Sequence, residues 1–108
     1  LWYTSIVKLG KTKKITVGLN KNVPAWMKIE LLASDADNNG AIGDAGNPTG
    51  TVTLSSIAAD LITGIKSCWT GRDDNGANLT YTPSITNFAN IEDPGDIYLV
   101  TYTLTDTN

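Results

Sequence analysis

Apolar and polar residues alternate with a period of two along most of this 108-residue chain. The clearest stretch is IYLVTYTLTD, in which Val100, Tyr102 and Leu104 fall on one face and threonines fall on the other. Successive side chains of a β-strand point to opposite faces, so this pattern predicts strands with one buried and one solvated face. Such strands suit antiparallel sheets that are packed on one side only.

The same pattern predicts about seven strands, near residues 2–9, 13–19, 26–33, 50–54, 65–69, 79–83 and 97–105. The turn-forming segments NKNVP, GNPTG, DDNG and EDPGD lie between them. We therefore predict an all-β fold, one immunoglobulin-like antiparallel β-sandwich spanning residues 1–108. Only SSIAADLITG, residues 55–64, can form a short helical turn, capped by Ser55 or Ser56. The segment CWTGRDDNGANLTYT predicts a hairpin with Asn75-Gly76 at its tip.

Charge is distributed unevenly along the chain. Residues 1–28 contain six lysines and no acid, whereas residues 29–108 contain two cations and all eleven acids. The basic segment either docks onto an acidic surface of another copy or forms a solvated strand edge that its lysines protect. The overall acidity, with a net charge of −3 and a pI of about 4.6, argues against nucleic acids and membrane surfaces as partners.

Composition points to a folded protein outside the cell. Residues of the apolar class make up 41% of the chain, and threonine-rich strands such as VTYTLTDT are typical of secreted β-rich proteins. No apolar run approaches the roughly 18 residues that a membrane-spanning helix needs. The single cysteine, Cys68, cannot form a disulfide within the chain, and we expect a small buried side chain there, although pairing with another chain stays open.

The run LLASDADNNGAIGDAG carries a possible metal-binding motif. Oxygen-bearing residues alternate at Asp35, Asp37 and Asn39, and Gly40 follows. A carbonyl from Ala41 and the carboxylate of Asp44 can complete a set of oxygen ligands, which calcium prefers. The alternative is a turn stabilised by its Asp and Asn side chains, without metal.

This stretch resembles the DxDxNG loops of dockerins and related bacterial calcium modules over about ten residues. The resemblance implies a structural Ca²⁺ ion. The sequence departs from the motif at the twelfth position, where Gly46 replaces the usual acid. Any calcium bound here is therefore expected to be weakly or unusually coordinated.

Catalysis is not expected. The chain contains no histidine, which excludes Ser-His-Asp and Cys-His systems and histidine-bound zinc. A carboxylate pair for glycoside hydrolysis stays open, although Asp73-Asp74 falls in a predicted turn where solvated acids are common. Two tryptophans near loops, Trp26 and Trp69, either belong to the core or stack on sugar rings.

The closing segment PGDIYLVTYTLTD, with GTVTLSSIAADLITGI and LTYTPS before it, resembles the strands of bacterial pilus and surface-fibre sandwiches. The resemblance covers roughly the last 60 residues and implies a non-catalytic extracellular filament subunit. Its partners would be other copies of the chain or a separate helical pilin-like subunit, because type IV pilins carry a hydrophobic helix that this sequence does not show. If assembly uses strand exchange, residues 1–9 are the candidate donor strand. The candidate interface residues are Leu1, Trp2, Tyr3, Ile6, Lys8, Lys11, Lys13 and Lys14.

Two other hypotheses compete with the filament subunit. The first is a secreted carbohydrate-binding or adhesive module, which requires exposed, coplanar indoles from residues such as Trp26 and Trp69. The second is a structural domain that joins others without a binding role.

Overall fold

A computed structural model describes residues 1–71, 74–88 and 97–107, and it confirms the predicted all-β, sandwich-like fold. The described residues form ten strands, all paired antiparallel, and one 3₁₀ turn. The strands are β1 (Thr4–Ser5), β2 (Lys13–Leu19), β3 (Met27–Ala33), β4 (Ile42–Gly43), β5 (Asn47–Pro48), β6 (Val52–Thr53), β7 (Ala59–Ile65), β8 (Cys68–Trp69), β9 (Leu79–Ile85) and β10 (Val100–Asp106), and the 3₁₀ turn is Ala36–Asn38.

Three sheets organise these strands. The first main sheet has four strands in the order β10-β2-β7-β5. The second main sheet has three strands in the order β6-β3-β9, and it is called the three-stranded sheet below. A small sheet of three short strands has the order β1-β8-β4 and therefore contains part of the N-terminal segment. In the described part of the chain, β9 and β10 each pair with a strand on one side only.

The core lies between the four-stranded and the three-stranded sheets. Alternate residues of β2, Ile15, Val17 and Leu19, are buried, and they belong to the same apolar cluster as Leu31 of β3 and Leu61 of β7. The hydroxyl groups of Tyr81 in β9 and Tyr102 in β10 contact each other, which places these two edge strands on the same side of the sandwich. No helix among the described residues is long and apolar enough to cross a membrane.

The helical turn predicted within residues 55–64 is wrong, because most of this segment belongs to β7, in the interior of the four-stranded sheet. The pairing of β7 with β2 shifts register twice within the span from Lys13 to Thr16. These irregularities let two consecutive residues, Leu61 and Ile62, both be buried. Two adjacent buried residues break the period of two, which is why the sequence pattern did not predict a strand here.

The hairpin predicted at Asn75-Gly76 is also wrong. Its two strands belong to different sheets, since β8 pairs with β1 and β4, whereas β9 pairs with β3. Gly76 instead donates its backbone N–H to the carbonyl oxygen of Asn39, so the connection between β8 and β9 packs against the acidic loop. Asp73 and the predicted EDPGD turn lie outside the described residues.

Candidate functional surfaces

The acidic loop at residues 35–46 is held by hydrogen bonds of its own. The Asp35 carboxylate accepts a 2.9 Å bond from the Asp37 backbone N–H, which is the Asx-turn geometry at the start of the 3₁₀ turn. The Asp37 carboxylate accepts a 2.9 Å bond from the N–H of Ala45. Both carboxylates therefore stabilise the backbone of the loop directly, without any ion.

Two of the other predicted calcium ligands, Asn39 and Asp44, also have partners of their own. The Asn39 side-chain amide donates to the carbonyl oxygens of Asp74 and Gly76, at 2.8 and 2.9 Å. The Asp44 carboxylate lies 3.7 Å from the Lys66 ammonium and accepts from the Gly46 N–H. Among the described residues no three acidic or cysteine side chains are grouped closely enough to hold a metal ion. Asp35, Asp37, Asn39 and Asp44 thus have hydrogen-bond or ion-pair partners of their own, and calcium binding at these residues and Ala41 stays a prediction.

The first residues of the N-terminal segment are bound to their own chain. The Leu1 amino group donates to the Ala77 carbonyl at 2.7 Å, and the Trp2 indole N–H donates to the Asn75 carbonyl at 2.9 Å. Tyr3 exchanges hydrogen bonds with Thr70, and β1 pairs with β8. Residues 1–5 are therefore an integral part of this domain in the described structure and are not a free donor strand.

The next residues of that segment are exposed. The side chain of Ile6 is 83% exposed, and Leu9 is fully exposed. Together with Lys8 and Lys11 they line two shallow, open grooves, one of which extends to Asp106 and the other to Lys66. We call residues 6–11 the N-terminal ridge. It is an accessible part of the predicted subunit interface, as is Trp2, which is 57% exposed.

Two of the six N-terminal lysines do not lie on a strand edge, which was one of the two alternatives for this basic segment. Lys13 and Lys14 lie on β2, which is paired on both sides, by β10 and by β7. The Lys14 ammonium lies 3.1 Å from the Asp60 carboxylate on the neighbouring strand. The charge separation seen along the sequence is thus partly compensated where the two halves meet in space.

The two tryptophans proposed for glycan stacking lie in different parts of the fold. Trp69 is in β8 of the small sheet and is 47% exposed. Trp26 precedes β3 and is half-buried, and it lines an open apolar groove of about 350 Å³ with Met27, Pro83 and Ile85. Neither indole is a fully buried core residue, but they do not share one sheet that would present both to a ligand.

The edge strands β9 and β10 form a further surface that the sequence pattern did not predict. Exposed apolar side chains are concentrated on and beside these strands, and they are Tyr81, Ile85, Phe88, Ile97, Leu99 and Leu104. The opposite sheet usually covers the inward-facing side chains of an edge strand. On β9 and β10, several apolar side chains nevertheless remain open to solvent. The signal available in the sequence was the absence of any charge between residues 97 and 105.

Cys68 is buried and free, as expected, and it pairs in register with Ser5 of β1 and Gly43 of β4. Burial raises the pKa of its thiol, because the thiolate is disfavoured away from water. The thiol is therefore not poised as a nucleophile.

No protein-family model, curated protein or solved structure matches the chain. The surfaces described above are thus the basis on which its function is inferred.

Proposed function

We propose that this chain is a structural subunit of an extracellular bacterial filament, a pilus or another surface fibre, which assembles through protein–protein contacts without catalysing a reaction. The observation that carries this proposal is the set of exposed apolar side chains on and beside the edge strands β9 and β10, including Leu99, Leu104 and Tyr81. Clustered exposed apolar side chains are typical of interaction sites, because water exposure of a large apolar patch is unfavourable.

A second exposed surface supports assembly into an open chain of subunits. The N-terminal ridge presents Ile6 and Leu9 beside Lys8 and Lys11. A molecule with two separate contact surfaces can bind one neighbour at each, and such contacts extend into a filament when they do not close into a ring. The partners that fit are other copies of this chain or a separate helical subunit.

Electron microscopy of filaments from the native cell surface tests this function. We expect antibodies against this chain to label regular fibres along their length. Dispersed monomers, or labelling of a larger protein that is not part of a fibre, would overturn the proposal.

A matched pair of variants tests the role of the N-terminal ridge. Ile6→Glu places a charge on the ridge, whereas Ile57→Glu places the same charge on a loop residue of similar exposure, 79% against 83%. We expect Ile6→Glu to shorten or abolish fibres and Ile57→Glu to leave them unchanged. Equal fibre lengths for both variants would remove the ridge from the assembly.

A carbohydrate-binding module is the alternative function, and the apolar groove beside Trp26 is the observation that favours it. An indole next to apolar side chains can stack on the face of a sugar ring. Glycan binding that Trp26→Ala or Trp69→Ala abolishes, with the fold retained, would support the module. Because Trp69 lies in the small sheet and Trp26 lies just before β3 in another sheet, we expect only one of these variants to lose binding.

A further inference from the structure

The outer edge of β10 is a long, regular row of backbone groups. Its seven residues pair with β2 without any register shift, from Val100 opposite Leu19 to Asp106 opposite Lys13. The pairing of β2 with β7, by contrast, shifts register twice. In the part of the chain that the structure describes, no strand pairs with the other side of β10.

The direction of the free backbone groups follows from two hydrogen bonds at the ends of the strand. The Leu99 carbonyl accepts from the Asn20 N–H at 3.1 Å, and the Thr107 N–H donates to the Thr12 carbonyl at 3.1 Å. Both bonds point toward the β2 side. Since backbone groups of successive strand residues point to alternate sides, the N–H and C=O groups of Val100, Tyr102 and Leu104 face the free edge.

This edge lacks the devices that usually prevent strands from pairing with another chain. Residues 97–105 contain no charge, no proline and no glycine. The edge strand of the opposite sheet is different, because β9 has Pro83 in its middle and therefore lacks one backbone donor. Of these two edge strands, only β10 has an uninterrupted row of backbone donors with which a partner strand can pair.

We propose that β10 pairs antiparallel with β10 of a second copy of this chain, around a two-fold axis at Tyr102. The two four-stranded sheets then form one continuous sheet of eight strands. In this register Val100 lies opposite Leu104 of the second copy, and Thr101 lies opposite Thr103. Between Val100 and Leu104, each apolar residue meets an apolar residue on one face, and Thr101 and Thr103 meet on the other, whereas Thr105 lies opposite Leu99.

A second copy fits this edge because the strand is complementary to itself. Its alternation of apolar residues and threonine is the same in both chain directions, as a two-fold contact requires. No charge lies between residues 97 and 105, so bringing two copies of this stretch together places no like charges opposite each other. The free backbone groups of Val100, Tyr102 and Leu104 supply hydrogen bonds in matching positions.

This inference rests on the proposed function. It names the partner at one of the two contact surfaces of the chain, the edge of β10. A two-fold contact closes into a dimer and does not extend a fibre by itself. Growth of a filament would then use the N-terminal ridge as the second contact. The β10 pairing and the filament function can therefore fail separately.

The test places lysines on the outer face of β10. In the double variant Thr101→Lys/Thr103→Lys, each new lysine lies opposite a lysine of the second copy, and both threonines are exposed in the single chain. We expect the dimer to dissociate at least about tenfold more readily, because like charges directly opposite each other repel. The matched control, Thr80→Lys/Thr82→Lys, adds the same charges to exposed positions of β9 and should dimerise as the wild type does.

Sedimentation velocity over a wide concentration range provides the measurement, with circular dichroism to verify that each variant is folded. A second arm mixes the lysine variant with Thr101→Glu/Thr103→Glu, and we expect this mixture to form a heterodimer.

A wild-type chain that stays monomeric at every concentration overturns the pairing, as does a lysine variant that dimerises normally. Fibres that form equally well from the lysine variant refute the pairing while the filament function stands. A dimer without fibres at the native surface supports the pairing and overturns the filament function.

Discussion

The hydroxyl group of Tyr3 donates a 2.7 Å hydrogen bond to the carbonyl oxygen of Ala45, which ties the N-terminal segment to the end of the acidic loop. Tyr3 is half-buried, and burial is the main cause of a pKa well above the usual value for its hydroxyl. Cys68 and Asp37 raise the pKa further, because their negative forms disfavour a nearby phenolate.

We predict that Tyr3 makes the fold sensitive to alkali. Above the pKa of an unfolded tyrosine the unfolded chain loses a proton that the folded chain retains, so the free energy of unfolding falls as pH rises through this range. One such group contributes a slope of at most about 1.4 kcal/mol per pH unit. Urea unfolding at neutral and alkaline pH measures it.

Tyr3→Phe is the control for this effect. The variant loses the hydrogen bond to Ala45, so we expect it to be about 1 kcal/mol less stable at neutral pH. Its stability should then decline less steeply in alkali, because the titrating group is gone. Parallel pH profiles for the two proteins would contradict the role of Tyr3.

The buried hydroxyl of Ser5 leads to a prediction of opposite sign. Its Oγ has no hydrogen-bond partner among the described residues, although the side chain is only 2% exposed. A buried hydroxyl without a partner costs free energy, so Ser5→Ala should stabilise the chain by about 1 kcal/mol. Thermal or urea unfolding of the variant measures this gain.

Ser67→Ala is the matched control, since the Ser67 hydroxyl bonds both the N–H and the carbonyl of Val7, at 3.0 and 3.3 Å. This variant should lose about 1 kcal/mol. A destabilised Ser5→Ala variant would show that the hydroxyl is satisfied after all.

Gly43 permits the close approach of β4 to β8. Its φ of +86° is in the left-handed region, and a Cβ atom there would lie 2.3 Å from the Ser67 carbonyl oxygen. Gly10 has nearly the same φ, +83°, but nothing lies within 4 Å of an added Cβ. Substitutions at these two glycines therefore distinguish the cost of backbone strain from the cost of steric overlap.

We expect Gly10→Ala to cost about 1 kcal/mol, from the left-handed conformation alone. Gly43→Ala adds the overlap with a backbone atom that cannot move freely, so we expect a loss of about 3 kcal/mol or more. Equal losses for the two variants would mean that β4 can move away from β8 at little cost.

The strands of the two main sheets were predictable where the period of two is intact. Residues 13–19 were predicted as a strand and form β2, because Ile15, Val17 and Leu19 alternate strictly with residues of the other face. The strand β7 was missed because its irregular pairing buries Leu61 and Ile62 together. Local periodicity records the face of each residue only while the register stays regular.

The candidate surfaces were harder to predict, because they depend on which distant segments meet. Nothing near Asn39 in the sequence indicates that its amide is bound to the carbonyl of Gly76. Likewise, the exposed state of Leu104 follows from the position of β10 at the edge of its sheet, and not from its local pattern. The order of strands in a sheet depends on the whole chain, so it cannot be deduced from a window of ten residues.

The buried thiol of Cys68 should resist labelling. Its side chain is 7% exposed, and its raised pKa disfavours the reactive thiolate. We expect the folded chain to react with a disulfide reagent such as Ellman's reagent only as fast as it opens, and the unfolded chain to react at once. An Ile57→Cys/Cys68→Ala variant, with its thiol on an exposed loop, verifies the reagent. Rapid labelling of the folded wild type would contradict the buried position.

The two functions possible for Asp37, structural acceptor and calcium ligand, can be separated by Asp37→Asn. This variant keeps a side-chain oxygen that can accept the hydrogen bond from Ala45, but it removes one negative charge and should therefore weaken calcium binding. Without calcium we expect Asp37→Asn to be nearly as stable as the wild type, whereas Asp37→Ala should lose about 1 kcal/mol.

Isothermal titration with calcium then decides between a metal site and an Asx-stabilised turn. Binding by the wild type that both Asp37→Asn and Asp35→Ala weaken would show that these two carboxylates hold an ion. Calcium that binds the folded loop should also raise the melting temperature of the wild type, and only when calcium is present. The absence of any heat at millimolar calcium would end the metal hypothesis, and the acidic residues would then act solely through the hydrogen bonds that shape the loop.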